Sequence, residues 1–229
     1  MPAIAGVTIR PFRPGDLREA QSIVGTGLMG LVPTAFRRAA SSPSNLALVS
    51  ALGGAAYALG RSPGWALAIG LTALGLLYLL CRGLLSAYVR EVLRTDMADV
   101  EGSYLRREGC GFWVAQREVP GGGGGGELVG TVALAREPAV PGACRLLRLS
   151  VRRSARRRGV AEGLVQTALA FATAHGYRRC VLETSVLQQA ALGLYRKLGF
   201  RTVASELPAK SALLTYLTKI TLTHLEKWL

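Results

Sequence analysis

Leu149-Ser150-Val151-Arg152-Arg153-Ser154-Ala155-Arg156-Arg157-Arg158-Gly159-Val160-Ala161 reads as the end of a strand, a basic turn and the start of a helix. The helix is predicted over Ala161–His175, because Leu164, Val165, Ala168, Leu169 and Ala172 recur on one face and Gly176 stops it. Where the turn meets the helix, backbone N–H groups without an intrahelical partner converge with the positive end of the helix dipole. Such a junction is an anion site. Gly159 lets the backbone come close to a phosphate, and the small Ala161 does the same one step on. The competing reading is an arginine-rich exposed turn resembling a nuclear-localisation run. The strand–turn–helix context favours the anion site.

Working outward, Arg179–Thr184 reads as a strand and Gln188–Leu198 as a helix ended by Gly199. On that helix Ala191, Leu194, Tyr195 and Leu198 share a face, which taken alone is a core stripe. Upstream, Phe112–Glu118, Leu128–Ala135 and Arg145–Val151 read as strands. Pro120 and Gly121–Gly126 join the first two as a loop. A phosphate cradle would need a helix after it, and a strand follows. Near the start, Val7–Arg10 is a short strand, and Asp16 is expected to cap a helix over Leu17–Leu28. Asp96 is expected to cap another over Met97–Arg107, and Ser211–Leu222 is read as mostly strand. The order predicts an α/β (α+β) protein with a mixed central sheet.

Between Arg38 and Arg61 lie 22 uncharged residues, and between Arg61 and Arg82 another 20. Leu46–Gly60 and Trp65–Cys81 are almost wholly apolar, with Arg61-Ser62-Pro63-Gly64 as a turn between them. About 20 helical residues span roughly 30 Å, the thickness of a bilayer core. Neither segment carries a polar stripe at helical period, so a membrane hairpin is favoured over two core helices. Arg37 and Arg38 precede it, Arg82, Arg90 and Arg94 follow it, and only Arg61 lies at the tip. The positive-inside bias places both ends, and the rest of the chain, on the cytosolic side.

Composition narrows the class. The 229 residues are 50% hydrophobic and 18% charged, with 28 basic and 14 acidic side chains. Global disorder is excluded, because that apolar content can bury a core. Cys81, Cys110, Cys144 and Cys180 are far apart, form no CxxC pair, and read as free thiols. Two histidines and no CxxC pair argue against a structural zinc site, and no metal is expected. The net charge of +14 suits nucleic acid, but no DNA-binding helix module is visible and only 7% of the chain is aromatic, so nucleic acid is disfavoured.

Arg156-x-x-Gly159-x-Ala161 and Ala191-x-x-Leu194-Tyr195-x-x-x-Gly199-Phe200, about 35 residues apart with a strand between, resemble the GNAT superfamily of acetyl-CoA-dependent N-acetyltransferases. Val32-Pro-Thr-Ala-Phe36-Arg37, the apolar hairpin, Thr95-Asp96-Met97-Ala98-Asp99 and Cys110-Gly-Phe-Trp-Val-Ala115 look like its camello-type branch. That branch includes cysteine S-conjugate and aspartate N-acetyltransferases bound to membranes, largely at the endoplasmic reticulum. The resemblance implies a GNAT fold with the membrane hairpin inserted between its first two helices. The expected parts are residues 1–38 (start of the GNAT domain), 39–85 (hairpin) and 86–229 (its remainder).

The resemblance also implies roles. The acetyl-CoA pyrophosphate is expected on Arg156, Arg157, Arg158, Gly159, Val160 and Ala161, and the pantetheine arm along Leu149 and Val151. Gln188 stands where the family usually has an Asn at the head of the last helix. The acceptor amine attacks the thioester directly, Tyr195 protonates the leaving thiolate, and Glu183 is the candidate base. His175 is assigned only a favourable charge at a helix end. The expected acceptor is amino-acid-type, cysteine S-conjugate-like, with aspartate or a lysine on a membrane protein as alternatives. A catalytically inactive membrane adaptor is the rival of a different class. Twelve basic and two acidic residues fall between Cys144 and Arg201; that surplus exceeds what one cofactor needs and suits an anionic leaflet of the lipid bilayer.

Overall fold

The structure, a computed structural model, describes residues 6–118, 126–206 and 216–229. Among the described residues seven strands form one sheet: β1 (Val7–Pro11), β2 (Gly111–Arg117), β3 (Glu127–Arg136), β4 (Ala143–Val151), β5 (Arg179–Ser185), β6 (Arg201–Glu206) and β7 (Leu222–Trp228). Their order is β1-β2-β3-β4-β5-β7-β6. Only β4 and β5 pair in parallel, so the sheet is mixed, as the sequence predicts.

The inner strands are apolar on both faces, because helices cover each side. On one face, Leu164, Val165, Ala168 and Ala172 of α5 (Val160–Ala174) and Leu192 and Tyr195 of α6 (Gln189–Lys197) pack on Trp113, Val132, Leu146 and Leu182. On the other, Ile23 and Val24 of α1 (Leu17–Met29) pack with Met97, Val100 and Tyr104 on Phe112, Val114 and Ala133. Residue alternation along β2 sends Phe112 and Val114 to one core and Trp113 and Ala115 to the other.

A second short helix, α2 (Val32–Ala40), follows α1 and was not anticipated. Pro33 sits in its first turn, where a missing N–H costs no intrahelical bond. The apolar segments form an antiparallel helical pair, α3 (Pro43–Gly60) and α4 (Pro63–Arg94). Ser42 caps α3 by accepting the Asn45 N–H at 3.4 Å, and Arg61 turns the chain in the left-handed region at φ 47°. Two helices thus precede the pair. α4 is one unbroken rod of 32 residues, roughly 48 Å long at 1.5 Å per residue. Its later half buries Leu77, Cys81 and Leu85 against α2 and Val92 against the sheet-side core. In its apolar half Trp65, Leu67, Leu71, Leu76 and Leu79 are exposed.

Three expectations are corrected. Asp16 does not cap α1; its carboxylate accepts the Arg13 N–H at 2.8 Å and pairs with Arg10 at 2.7 Å, closing the turn before the helix. Asp96 caps no helix either. It is taken by Arg148 and Tyr104, and residues 97–107 form turns around a short π-helical stretch, Glu101–Leu105. Residues 216–218 are a helical turn and the strand begins only at Leu222, so the strand expected over 211–222 lies further on. Residues 211–215 and most of the glycine joint, 119–125, lie outside the described residues.

Candidate active site

β4 and β5 separate where the basic turn begins. Their pairing runs from Ala143↔Arg179 to Leu146↔Leu182 and stops there. β4 continues against β3 to Val151, and β5 against β7 to Ser185. A wedge therefore opens between Leu147–Val151 and Glu183–Ser185, lined by backbone with no strand partner on that side. The cause is a bulge: the β3–β4 register shifts between Thr131 and Ala133, and Arg148 takes the left-handed region at φ 55°. The Thr131 hydroxyl donates to the Arg148 carbonyl at 2.8 Å and holds the bulge closed.

Beyond Val151 the chain makes one 3-10 turn and enters α5 through Arg157 and Gly159, both left-handed at φ 61° and 81°. A side chain on Gly159 would meet nothing within 4 Å, so the space in front of it is open. Gly159 is the N-cap and no side chain caps the helix, so its first N–H groups point outward unclaimed by a capping residue. The arginines divide. Arg152 donates to the Leu128 carbonyl at 2.7 Å and pairs with Glu19 at 3.0 Å. Arg156 donates to the Val151 carbonyl at 3.0 Å, closing the turn on the end of β4. Arg157 and Arg158 are exposed beside the helix start. Val160 is buried under the turn, and Ala161 is half-buried.

Glu183 stands on the β5 side of the wedge, and Tyr195 packs on the opposite face of the sheet. Tyr195, on α6, is 5% exposed, packs edge-on to Phe200 at 5.6 Å and belongs to the α5–α6 core. Burial, with Cys180 nearby, pushes its phenol well above the ordinary tyrosine value. Cys180, Leu182 and Thr184 of β5 are buried, so the alternating Glu183 points to the α1 face. There it is half-exposed and lies 3.8 Å from Nδ1 of His224, its register partner on β7. Gln188 begins α6 and its side-chain oxygen accepts the Thr184 hydroxyl, which ties the helix start to β5. His175 bonds the Phe171 carbonyl at 2.9 Å and stacks on that ring, far along α5 from the wedge.

Two residues went unread in the sequence. Arg148 carries no local signal in the sequence, and in the fold it grips Asp96 with two bonds of 2.7 and 2.6 Å. Tyr104 donates a third bond to the same carboxylate. Burial alone would raise the Asp96 carboxyl; Arg148 and Tyr104 overcome it and hold it below the usual range. The other is His224, which only the β5–β7 register could place beside Glu183. The four cysteines are free thiols. Among the described residues no group of three His, Cys, Asp or Glu side chains could hold a metal ion.

Residues 78–200 match the acetyltransferase (GNAT) family. N-acetyltransferase 8 of Mus musculus is 36% identical over 229 residues, covering 96% of this chain and 94% of that protein. N-acetylaspartate synthetase of Homo sapiens is 37% identical over 201 residues, 87% of this chain and 64% of the relative. Among solved structures, a GNAT-family acetyltransferase of Staphylococcus aureus aligns with a TM-score of 0.56 at 14% identity, over 97% of this chain and 98% of that one. That likeness establishes the fold, and the sequence matches establish the chemistry. The chain belongs to the acetyltransferase (GNAT) family and is an N-acetyltransferase related to N-acetyltransferase 8 and to N-acetylaspartate synthetase.

Proposed function

We propose that the protein is an acetyl-CoA-dependent N-acetyltransferase, held at a membrane by α3 and α4, that acetylates the amine of a cysteine S-conjugate-like amino acid. The carrying observation is the wedge between β4 and β5 opening directly onto the uncapped start of α5. The pyrophosphate of acetyl-CoA fits the N–H groups from Arg157 to Ala161, with Arg156, Arg157 and Arg158 around it. The pantetheine arm then lies along the unpaired edge at Leu149 and Val151, and Gln188 steadies the α6 side.

In this reading the thioester sits in the wedge, and the acceptor reaches it from the α1 face, over Glu183 and His224 and beside residues 216–221. Glu183 takes the proton from the arriving ammonium, directly or through water. The free amine adds to the carbonyl, whose developing oxyanion is held by backbone N–H groups of the β4 edge. Collapse breaks the C–S bond and expels the CoA thiolate, which Tyr195 protonates from the other face, while the added nitrogen gives up its second proton to water and the phenolate regains one from solvent. A phenol raised by burial stays protonated at neutral pH, as a proton donor must.

The membrane part rests on α4. Among the described residues it alone is long and apolar enough to cross a bilayer, and only 6% of its most apolar stretch is buried. Arg37, Arg38, Arg82, Arg90 and Arg94 lie at one end of the pair and Arg61 at its tip, which favours a cytosolic transferase domain. The camello resemblance favours the endoplasmic reticulum as that membrane. The test is CoA-thiol release by the detergent-solubilised full chain offered S-benzylcysteine, aspartate or a lysine peptide. S-benzylcysteine should be preferred. Transfer to aspartate alone overturns the amphipathic acceptor. Acetyl-CoA binding without transfer to any of them leaves the inactive adaptor.

A further inference from the structure

Residues 216–221 run into β7 beside the carboxyl end of β5. The Val186 N–H donates to the Thr221 carbonyl at 3.0 Å, and Ser185 pairs with Leu222. The segment therefore stands at the carboxyl end of β5, across that strand from the wedge and beside the proposed acceptor route. It is fastened to the base of the helical pair. The side-chain N–H2 of Asn45, 3% exposed, donates to the Leu217 carbonyl at 2.7 Å and to the Ala39 carbonyl at 2.9 Å. The Arg38 guanidinium donates to the Lys219 carbonyl at 3.2 Å, at a residue held left-handed at φ 54°. Ile220 and Leu187, on either side of the Val186–Thr221 bond, pack with Ala39, Leu77, Cys81 and Leu85.

An amide buried in the first turn of an apolar helix is costly, the more so here because the Asn45 Oδ1 has no partner among the described residues, and only the two bonds of its N–H groups offset that cost. Asn45 uses them on carbonyls of two segments 178 residues apart, which no local turn or cap would require.

We infer that Asn45, seconded by Arg38, is a positioning residue that holds the acceptor-side segment 216–221 against the base of the α3–α4 pair, so that this base sets acceptor affinity. The inference rests on the acceptor route given under Proposed function. Neither side chain touches the turn at Arg156–Ala161, so acetyl-CoA binding is independent of them.

The experiment compares Asn45→Ala, Arg38→Ala and, as a control on the exposed side of α3, Leu52→Ala in the detergent-solubilised full chain. Each is measured for KM of the best acceptor, KM of acetyl-CoA, and hydrogen exchange of a peptide covering residues 216–222. Asn45→Ala should raise the acceptor KM about fivefold or more, keep the acetyl-CoA KM within about twofold, and speed exchange in 216–222. Arg38→Ala should do the same more weakly, and Leu52→Ala should do neither. An unchanged acceptor KM, or a parallel rise in both KM values, overturns the inference. If the wild type acetylates no acceptor, the proposed function falls, and the exchange decides the tie by itself: unchanged exchange in both variants overturns it.

Discussion

At the scale of the residue, environment decides what each group can do. Tyr195 is a core tyrosine by its packing, and the acid role proposed for it comes from the motif it shares with the family. Tyr195→Phe should lower kcat roughly 10²-fold, the usual contribution of one general acid, while the acetyl-CoA dissociation constant measured by calorimetry stays within about twofold. Because burial raises the phenol, wild-type kcat should show no fall from Tyr195 ionisation below about pH 10. Asp96 illustrates the opposite direction. Its carboxyl is held low by Arg148 and Tyr104, so its stabilisation is full above the unfolded value of about 4 and is lost as pH falls through the lower folded value. Asp96→Asn leaves Arg148 unpaired at 16% side-chain exposure. The expected loss is about 2 kcal/mol in denaturant unfolding at pH 7, less than the roughly 3–5 kcal/mol of a fully buried pair. At pH 3 the difference between variant and wild type should shrink.

At the scale of the element, the parts read most securely were those written in a local code. The α5 stripe Leu164, Val165, Ala168 and Ala172 is buried as its spacing predicts, and Gly176 ends the helix in the left-handed region at φ 75°. The start of α5 yields a prediction of its own. Gly159→Glu forces a side chain onto φ 81° and places a carboxylate where the helix N-terminus would meet phosphate. Acetyl-CoA binding by calorimetry should weaken about 100-fold or more, while the circular dichroism spectrum is retained because the space there is open. The helix over Leu17–Leu28 is present as α1, but the cap expected at Asp16 is not, and at Asp96 neither the cap nor the helix over Met97–Arg107 forms. Asp16 and Asp96 each precede a stretch with helical pattern, but each has an arginine brought to it in the fold, Arg10 across a turn and Arg148 from β4. A charged pair formed over 52 residues leaves no mark on local spacing. α2 escaped notice because its apolar contacts are with α4 and Leu187, so its nine residues carry too short a pattern to stand out.

At the scale of the whole molecule, the unusual composition separates by place. The apolar excess is the exposed surface of α3 and α4, where Leu46, Leu48, Leu67 and Leu71 face outward. If lipid covers it, replacing Leu67 and Leu71 together by Lys should release the protein from membranes during alkaline carbonate extraction. A charge near the bilayer centre costs about 2.5–3.5 kcal/mol each on insertion scales. Continued pelleting of the double variant would overturn the membrane reading. The orientation is best followed at Cys110, which is half-buried, since Cys144 and Cys180 are sealed in the core. The sequence by itself determined the strand–turn–helix at Leu149–Ala161, the helix bearing Tyr195, the mixed sheet and the apolar pair. All of these depend on side-chain period, glycine position and charge along a few consecutive residues. Only the tertiary structure decided that β4 and β5 part at Leu146 and Leu182, and that Arg148 is spent on Asp96. Likewise, only the fold set Glu183 beside His224 and tied residues 216–221 to Asn45. Those facts arise from strand register and from polar groups that must find partners once buried, and partners distant along the chain are fixed only when the chain has folded.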